Sequence, residues 1–66
     1  MKNSELKKLL RREGCRLLRQ GRSHEIWIDP KSGETFIVPR HNSQEIPTGT
    51  VEAILKKAGI KSSNPN

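Results

Sequence analysis

His24 and His41 are the only histidines of the chain, and they are the residues best suited to moving a proton. An imidazole titrates near neutrality and can serve as general acid or general base there. Gly21-Arg22-Ser23-His24 reads as a tight turn that delivers its histidine to the first position of a β-strand, with Gly21 taking φ > 0. A single histidine serves structure more often than chemistry, so residue type alone leaves both roles open. His41, in a polar stretch, reads more readily as a solvated loop residue. Ser23 and His24 do not make a simple nucleophile–base dyad, because neighbouring strand side chains point apart. His24, His41 and Cys15 have no metal-ligand spacing, and no Cys-x-x-Cys or His-x-x-His pair occurs, so neither a metal nor another cofactor is expected.

These residues need a scaffold, and the chain has little material for one. Its 66 residues make one domain, which would bury roughly 60% of the surface exposed by the unfolded chain. The single cysteine allows no internal disulfide, and Cys15 reads as a small buried hydrophobe. No apolar run approaches ~18 residues and no signal-like segment opens the chain, so a soluble cytoplasmic protein without a membrane partner is expected. Lys and Arg number 13 against 7 Asp and Glu, a net charge of +6. That balance favours RNA or DNA as partner, or an acidic protein. Trp27 and Phe36 are the only aromatics. Contact through backbone phosphates is therefore expected over base stacking.

The elements follow from spacing. Asn3 is expected to cap a helix whose buried stripe is Leu6, Leu9 and Leu10, with Lys8, Arg11 and Arg12 on another face. Gly14 and Cys15 fit the end of that helix. Residues 15–20 read as a strand, although Leu18 breaks the alternation. In the next strand, residues 24–29, Ile26 and Ile28 share one face and Glu25, Trp27 and Asp29 the other. The isoleucine face is expected to be the core face, leaving His24 half-sheltered at the core edge beside a helix end. Pro30 and Gly33 fit a hairpin loop. In the third strand Phe36 and Val38 face the core, and Ile37 is expected to pair with Trp27 on the outer face. Pro47 is expected in the first turn of a second helix, with Thr48 or Thr50 as cap, Val51, Ile54, Leu55 and Ala58 as its buried face, and Gly59 as its stop. The whole is an α+β, α-β-β-β-α two-layer sandwich: a three-stranded antiparallel sheet with two helices on one face. Residues 61–66 have nothing to bury and are expected to be a disordered tail.

Leu9-Leu10 with Gly14, Arg19-Gln20, Ser23-His24, Val38-Pro39 with His41, Gly49-Thr50-Val51, Ile54-Leu55 and Ala58-Gly59 occur in an order and spacing that resembles the HicA toxins of bacterial toxin–antitoxin pairs. The resemblance runs from about residue 4 to residue 60, so residues 1–60 are read as one HicA-like domain. It implies a fold like a double-stranded-RNA-binding domain. It also implies a ribonuclease that cleaves mRNA and arrests translation, silenced by a HicB-type antitoxin. The family's essential histidine matches His24. The family pattern has Gly directly before Ser-His, where this chain has Arg22, so a guanidinium is expected beside the reactive site. DNA is expected to be met only through the antitoxin.

RNA cleavage without a metal requires a proton to leave the 2′-OH and another to reach the departing 5′-oxygen, while cations stabilise the charge building on phosphorus. His24 is the expected proton-transfer group. Arg22, Arg19 and Arg40 are candidates for the phosphate, Ser23 for orienting the ring or a phosphate oxygen, and His41 for a second proton transfer. The alternative is a non-catalytic RNA-binding domain of the same fold. Such domains usually carry lysines where the second helix begins, and Ile46-Pro47-Thr48-Gly49-Thr50 has none. A third reading makes the basic surface an interface for an acidic partner.

Overall fold

The computed structural model describes residues 1–60. The elements run α1 (Asn3–Arg12), β1 (Arg16–Gln20), β2 (His24–Asp29), β3 (Glu34–Pro39) and α2 (Thr48–Lys57). The strands form one antiparallel sheet in the order β1-β2-β3. Leu6 and Leu10 of α1 and Val51, Ile54 and Leu55 of α2 meet Trp27, Phe36 and Val38 of the sheet in a single core. The fold is thus the α+β sandwich that the periodicities dictate. The expected tail, residues 61–66, lies outside the described residues.

Both helices stop by the device their sequences encode. Gly14 and Gly59 take φ of 95° and 73°, and the N–H groups of Cys15 and Ile60 donate to the carbonyls of Leu10 and Leu55, each at 2.9 Å. These bonds satisfy carbonyls that would otherwise be orphaned at the helix ends. The starts differ from expectation. Lys2, not Asn3, is the N-cap residue, and its N–H donates to Glu5 Oε1 at 3.1 Å. Asn3 is the first helical residue and is fully buried. Its N–H donates to the Gln44 carbonyl at 2.8 Å and that of Ser4 to the Asn42 carbonyl at 2.9 Å, so the segment after β3 caps α1 with backbone instead of a side chain. Pro47 is the N-cap residue of α2, and neither Thr48 nor Thr50 supplies a side-chain cap.

The larger correction concerns the faces of the sheet. Trp27 is fully buried, with Glu25 and Asp29 buried on the same face, whereas Ile26 and Ile28 are half-buried and His24 is exposed. The tryptophan side faces the helices. Trp27 pairs with Phe36 in the core, and Ile37 pairs with Ile26 on the outer face, where it is 60% exposed. His24 therefore does share a face with Ile26 and Ile28, but that face is the open one. The reversal rests on partners for the two carboxylates, since a buried charge is tolerated only when paired and hydrogen-bonded. Asp29 accepts from Ser32 Oγ at 3.0 Å and from the Lys31 N–H at 3.2 Å, within the loop where Gly33 takes φ 77°. Glu25 is met by Lys7, Gln20 and Trp27. In β1 the register shifts between Leu17 and Arg19. Leu18 is the extra residue of a bulge, which is why alternation fails there.

Candidate active site

The site is built on the turn between β1 and β2. The N–H of Gly21 donates to the His24 carbonyl at 2.7 Å, so Arg22 and Ser23 alone span the tip. Gly21 is not in the left-handed region, contrary to expectation. Glycine eases the packing there: a Cβ would sit 3.2 Å from the His24 carbonyl oxygen, a tight contact. Arg22 also lacks a positive φ, so an L-residue fits the turn without strain.

Arg40, the residue after β3, clasps this turn. Its N–H donates to the Ser23 carbonyl at 3.1 Å. Its Nη1 donates to the carbonyls of Gly21 and Arg22, both at 3.3 Å. Three successive carbonyls before His24 are thus bound by one residue. The His24 ring is exposed on the open sheet face, across from Pro39 in register. Arg19 lies opposite Ile26, the next residue along that face, a diagonal within reach of long side chains. His41 is exposed one residue beyond Arg40. Its carbonyl accepts from Asn3 Nδ2 at 3.0 Å. Among the described residues neither imidazole has a hydrogen-bond partner. The structure brings His24, Arg22, Ser23 and Arg40 together at one end of the sheet with Arg19 on the same face, and it sets His41 on the adjoining loop.

Sequence reasoning missed what lies behind the turn. Lys7 is buried, and its Nζ donates to the Arg40 carbonyl at 2.8 Å, to Asn42 Oδ1 at 2.9 Å and to Glu25 Oε1 at 3.0 Å. Glu25 also accepts from Trp27 Nε1 at 3.0 Å and Gln20 Nε2 at 2.9 Å. Burial pushes the Glu25 carboxyl up, but the hydrogen bonds from Trp27, Gln20 and Lys7, with the Lys7 charge, outweigh it and hold it below its usual value. Asn3 Nδ2 donates to the Pro39 carbonyl at 2.6 Å as well as to His41. One signal was present. Asn3 and Lys7 fall at i, i+4 inside the stripe of Leu6 and Leu10, where polar residues are out of place unless partnered.

Two concavities flank the turn and sheet. One of about 420 Å³ lies between α1 and β1, lined by Ser4, Lys8, Arg11, Gln20 and Asn42 among others. Arg11 there stacks over Trp27 at 5.2 Å from the ring centroid. The other, about 620 Å³, runs between β3 and α2 past Ile37, Thr35, Gly49, Thr50 and Ala53. It is mainly apolar, with Lys57 as the one cation among its lining residues and no histidine. Among the described residues no three His, Cys, Asp or Glu side chains converge, and no helix is long and apolar enough to cross a membrane.

The molecule is a small basic α+β sandwich with an exposed imidazole at the rim of its uncovered sheet face. Residues 4–60 match the family model described as the HicA toxin of bacterial toxin–antitoxin. The chain belongs to this HicA toxin family, which makes it the toxin of a toxin–antitoxin pair with an antitoxin as its partner. No curated protein and no solved structure matches it.

Proposed function

We propose that this toxin is an endoribonuclease that cleaves mRNA in the cytoplasm without a metal or cofactor, and that a HicB-type antitoxin neutralises it. His24 is the general acid/base. As base it takes the 2′-OH proton, so that the 2′-oxygen attacks phosphorus and the P–O5′ bond breaks; the departing 5′-oxygen then needs a proton. His24 in its charged form can return it, and His41 is the candidate for a second group. Arg22, Arg19 and Arg40 meet the phosphate, and Ser23 offers a hydroxyl to a phosphate oxygen. The observation that supports this reading is the exposed imidazole of His24, without a protein partner, at a turn flanked by guanidinium groups.

The test is RNA-end mapping after brief expression, wild type beside His24→Ala, with the purified proteins assayed on a labelled RNA. The expected result is a loss of about 10²–10⁴-fold in cleavage, no growth arrest, and an unchanged circular-dichroism spectrum. A folded His24→Ala protein that cuts as the wild type does would overturn the assignment. Retention of intact RNA, with equal affinity in both proteins, is the signature of a non-catalytic RNA-binding domain. The residues opening α2 do not favour that alternative, because Gly49 and Thr50 line an apolar groove instead of a cationic one.

A further inference from the structure

We infer that Lys7 is a positioning residue for His24, acting from the core through the loop that carries Arg40. The inference rests on His24 being the reacting group. Lys7 never meets RNA by its own ammonium, which is buried, ion-paired with Glu25 on β2 and donating to the Arg40 carbonyl and to Asn42 Oδ1. It therefore ties three segments at one point. One is α1, one is the strand that begins with His24, and one is the segment after β3. Asn3, one helical turn earlier, adds two bonds to the carbonyls on either side of Arg40, those of Pro39 and His41. Three successive carbonyls, of Pro39, Arg40 and His41, are thus held by two buried donors of one helix.

The residue in the middle of that grip is the one that clasps the turn. The Arg40 backbone is fixed by Lys7, and its guanidinium and N–H reach the carbonyls of Gly21, Arg22 and Ser23. An exposed arginine has several rotatable bonds, so without a fixed backbone its fork would not hold one geometry. The relay from Lys7 to Arg40 to the turn passes only through hydrogen bonds, 2.8 Å at Lys7, 3.1 Å from the Arg40 N–H and a longer 3.3 Å from its Nη1. It ends at the turn that closes on His24 through the Gly21 N–H, and a displacement of about 1 Å at a reacting group can cost 10²-fold in rate. A buried ion pair is weak evidence for stability as such, because well-packed apolar replacements often do as well. Its presence behind the turn that carries an exposed histidine has a reason if it sets a backbone position.

The test is the double variant Lys7→Met with Glu25→Gln, which removes the relay without leaving a buried charge unpaired, beside Arg40→Lys. Two readouts are taken well below the thermal midpoint. The first is amide hydrogen exchange at Gly21, whose N–H closes the turn. The second is single-turnover cleavage, with RNA affinity measured separately in a His24→Ala background. The expected result is folded protein, at least about 10-fold lower protection at Gly21, RNA affinity within about 2-fold of the parent for the double variant, and cleavage slowed by about 10- to 100-fold. Arg40→Lys should follow the same pattern in exchange and cleavage, since a lysine keeps the charge but not the fork. Unchanged Gly21 protection overturns the inference, as does wild-type cleavage from a variant whose turn has loosened. If the wild-type chain cleaves no RNA, the nuclease reading falls on its own, and the exchange measurement still decides whether Lys7 holds the turn.

Discussion

Glu25 shows how a single side chain can invert the reading of a strand. It is charged, it sits next to the candidate histidine, and it is buried. Its carboxyl is held below the ordinary value of 4.5: burial opposes ionisation, and the donors of Trp27, Gln20 and Lys7 prevail. A carboxyl whose folded pKa is depressed stabilises the fold above its unfolded value and loses that contribution as pH falls through the folded one. Urea midpoints taken from pH 7 down to pH 2.5 should therefore fall steeply below about pH 4.5. Glu25→Gln should flatten that acid limb while costing about 3 kcal/mol at pH 7, because Lys7 is left buried without its counter-charge. Cys15 is the contrasting case. Burial pushes its thiol up, the carboxylates of Asp29 and Glu13 add to this, and Lys31 opposes it only in part. The one thiol of the chain is held protonated and is no nucleophile at neutral pH.

At the scale of elements, the two helix stops carry the clearest local code. Gly14 and Gly59 both occupy the left-handed region, but a Cβ at Gly14 would meet nothing within 4 Å while one at Gly59 would lie 3.1 Å from Asp29 Oδ2. Gly14→Ala should cost about 1 kcal/mol from backbone strain alone, and Gly59→Ala about 2 kcal/mol, since the methyl also crowds a buried carboxylate. Chemical denaturation of the two variants checks both values and their order. These stops, the hairpin glycine at position 33, the strand order and the apolar stripes were legible because each depends on residues within a few positions of one another. The face of β2 was not. Counting residue types favours Ile26 and Ile28 over a face with two acids. The outcome was decided by Lys7 and Gln20 reaching Glu25, and by Ser32 folding back on Asp29. The site divides the same way. The turn, its histidine and its arginine were visible as neighbours in sequence. The clasp by Arg40, nineteen residues from Gly21, and the anchoring by Asn3 and Lys7 exist only after the sandwich closes.

Taken whole, the molecule keeps one sheet face covered by helices and leaves the other to solvent, with His24, Arg19 and Ile37 on it. On the proposed function, with a net charge of +6, its hold on RNA should weaken with salt, log K falling by about 0.7 per phosphate contact for each unit of log salt concentration on a single strand. Arg22→Ala should reduce that slope by about 0.7, read from affinity titrations between low and physiological salt in a His24→Ala background. The way α1 begins sharpens this expectation. Its opening amides already point at the chain's own carbonyls, those of Asn42 and Gln44, so the positive pole of that helix is closed to visitors. A polyanion arriving at this end finds no rigid cradle of main-chain hydrogens. It meets exposed side chains such as Arg19 and Arg22 instead, and on the proposed reading a hold of that kind is readily lost once the RNA is cut.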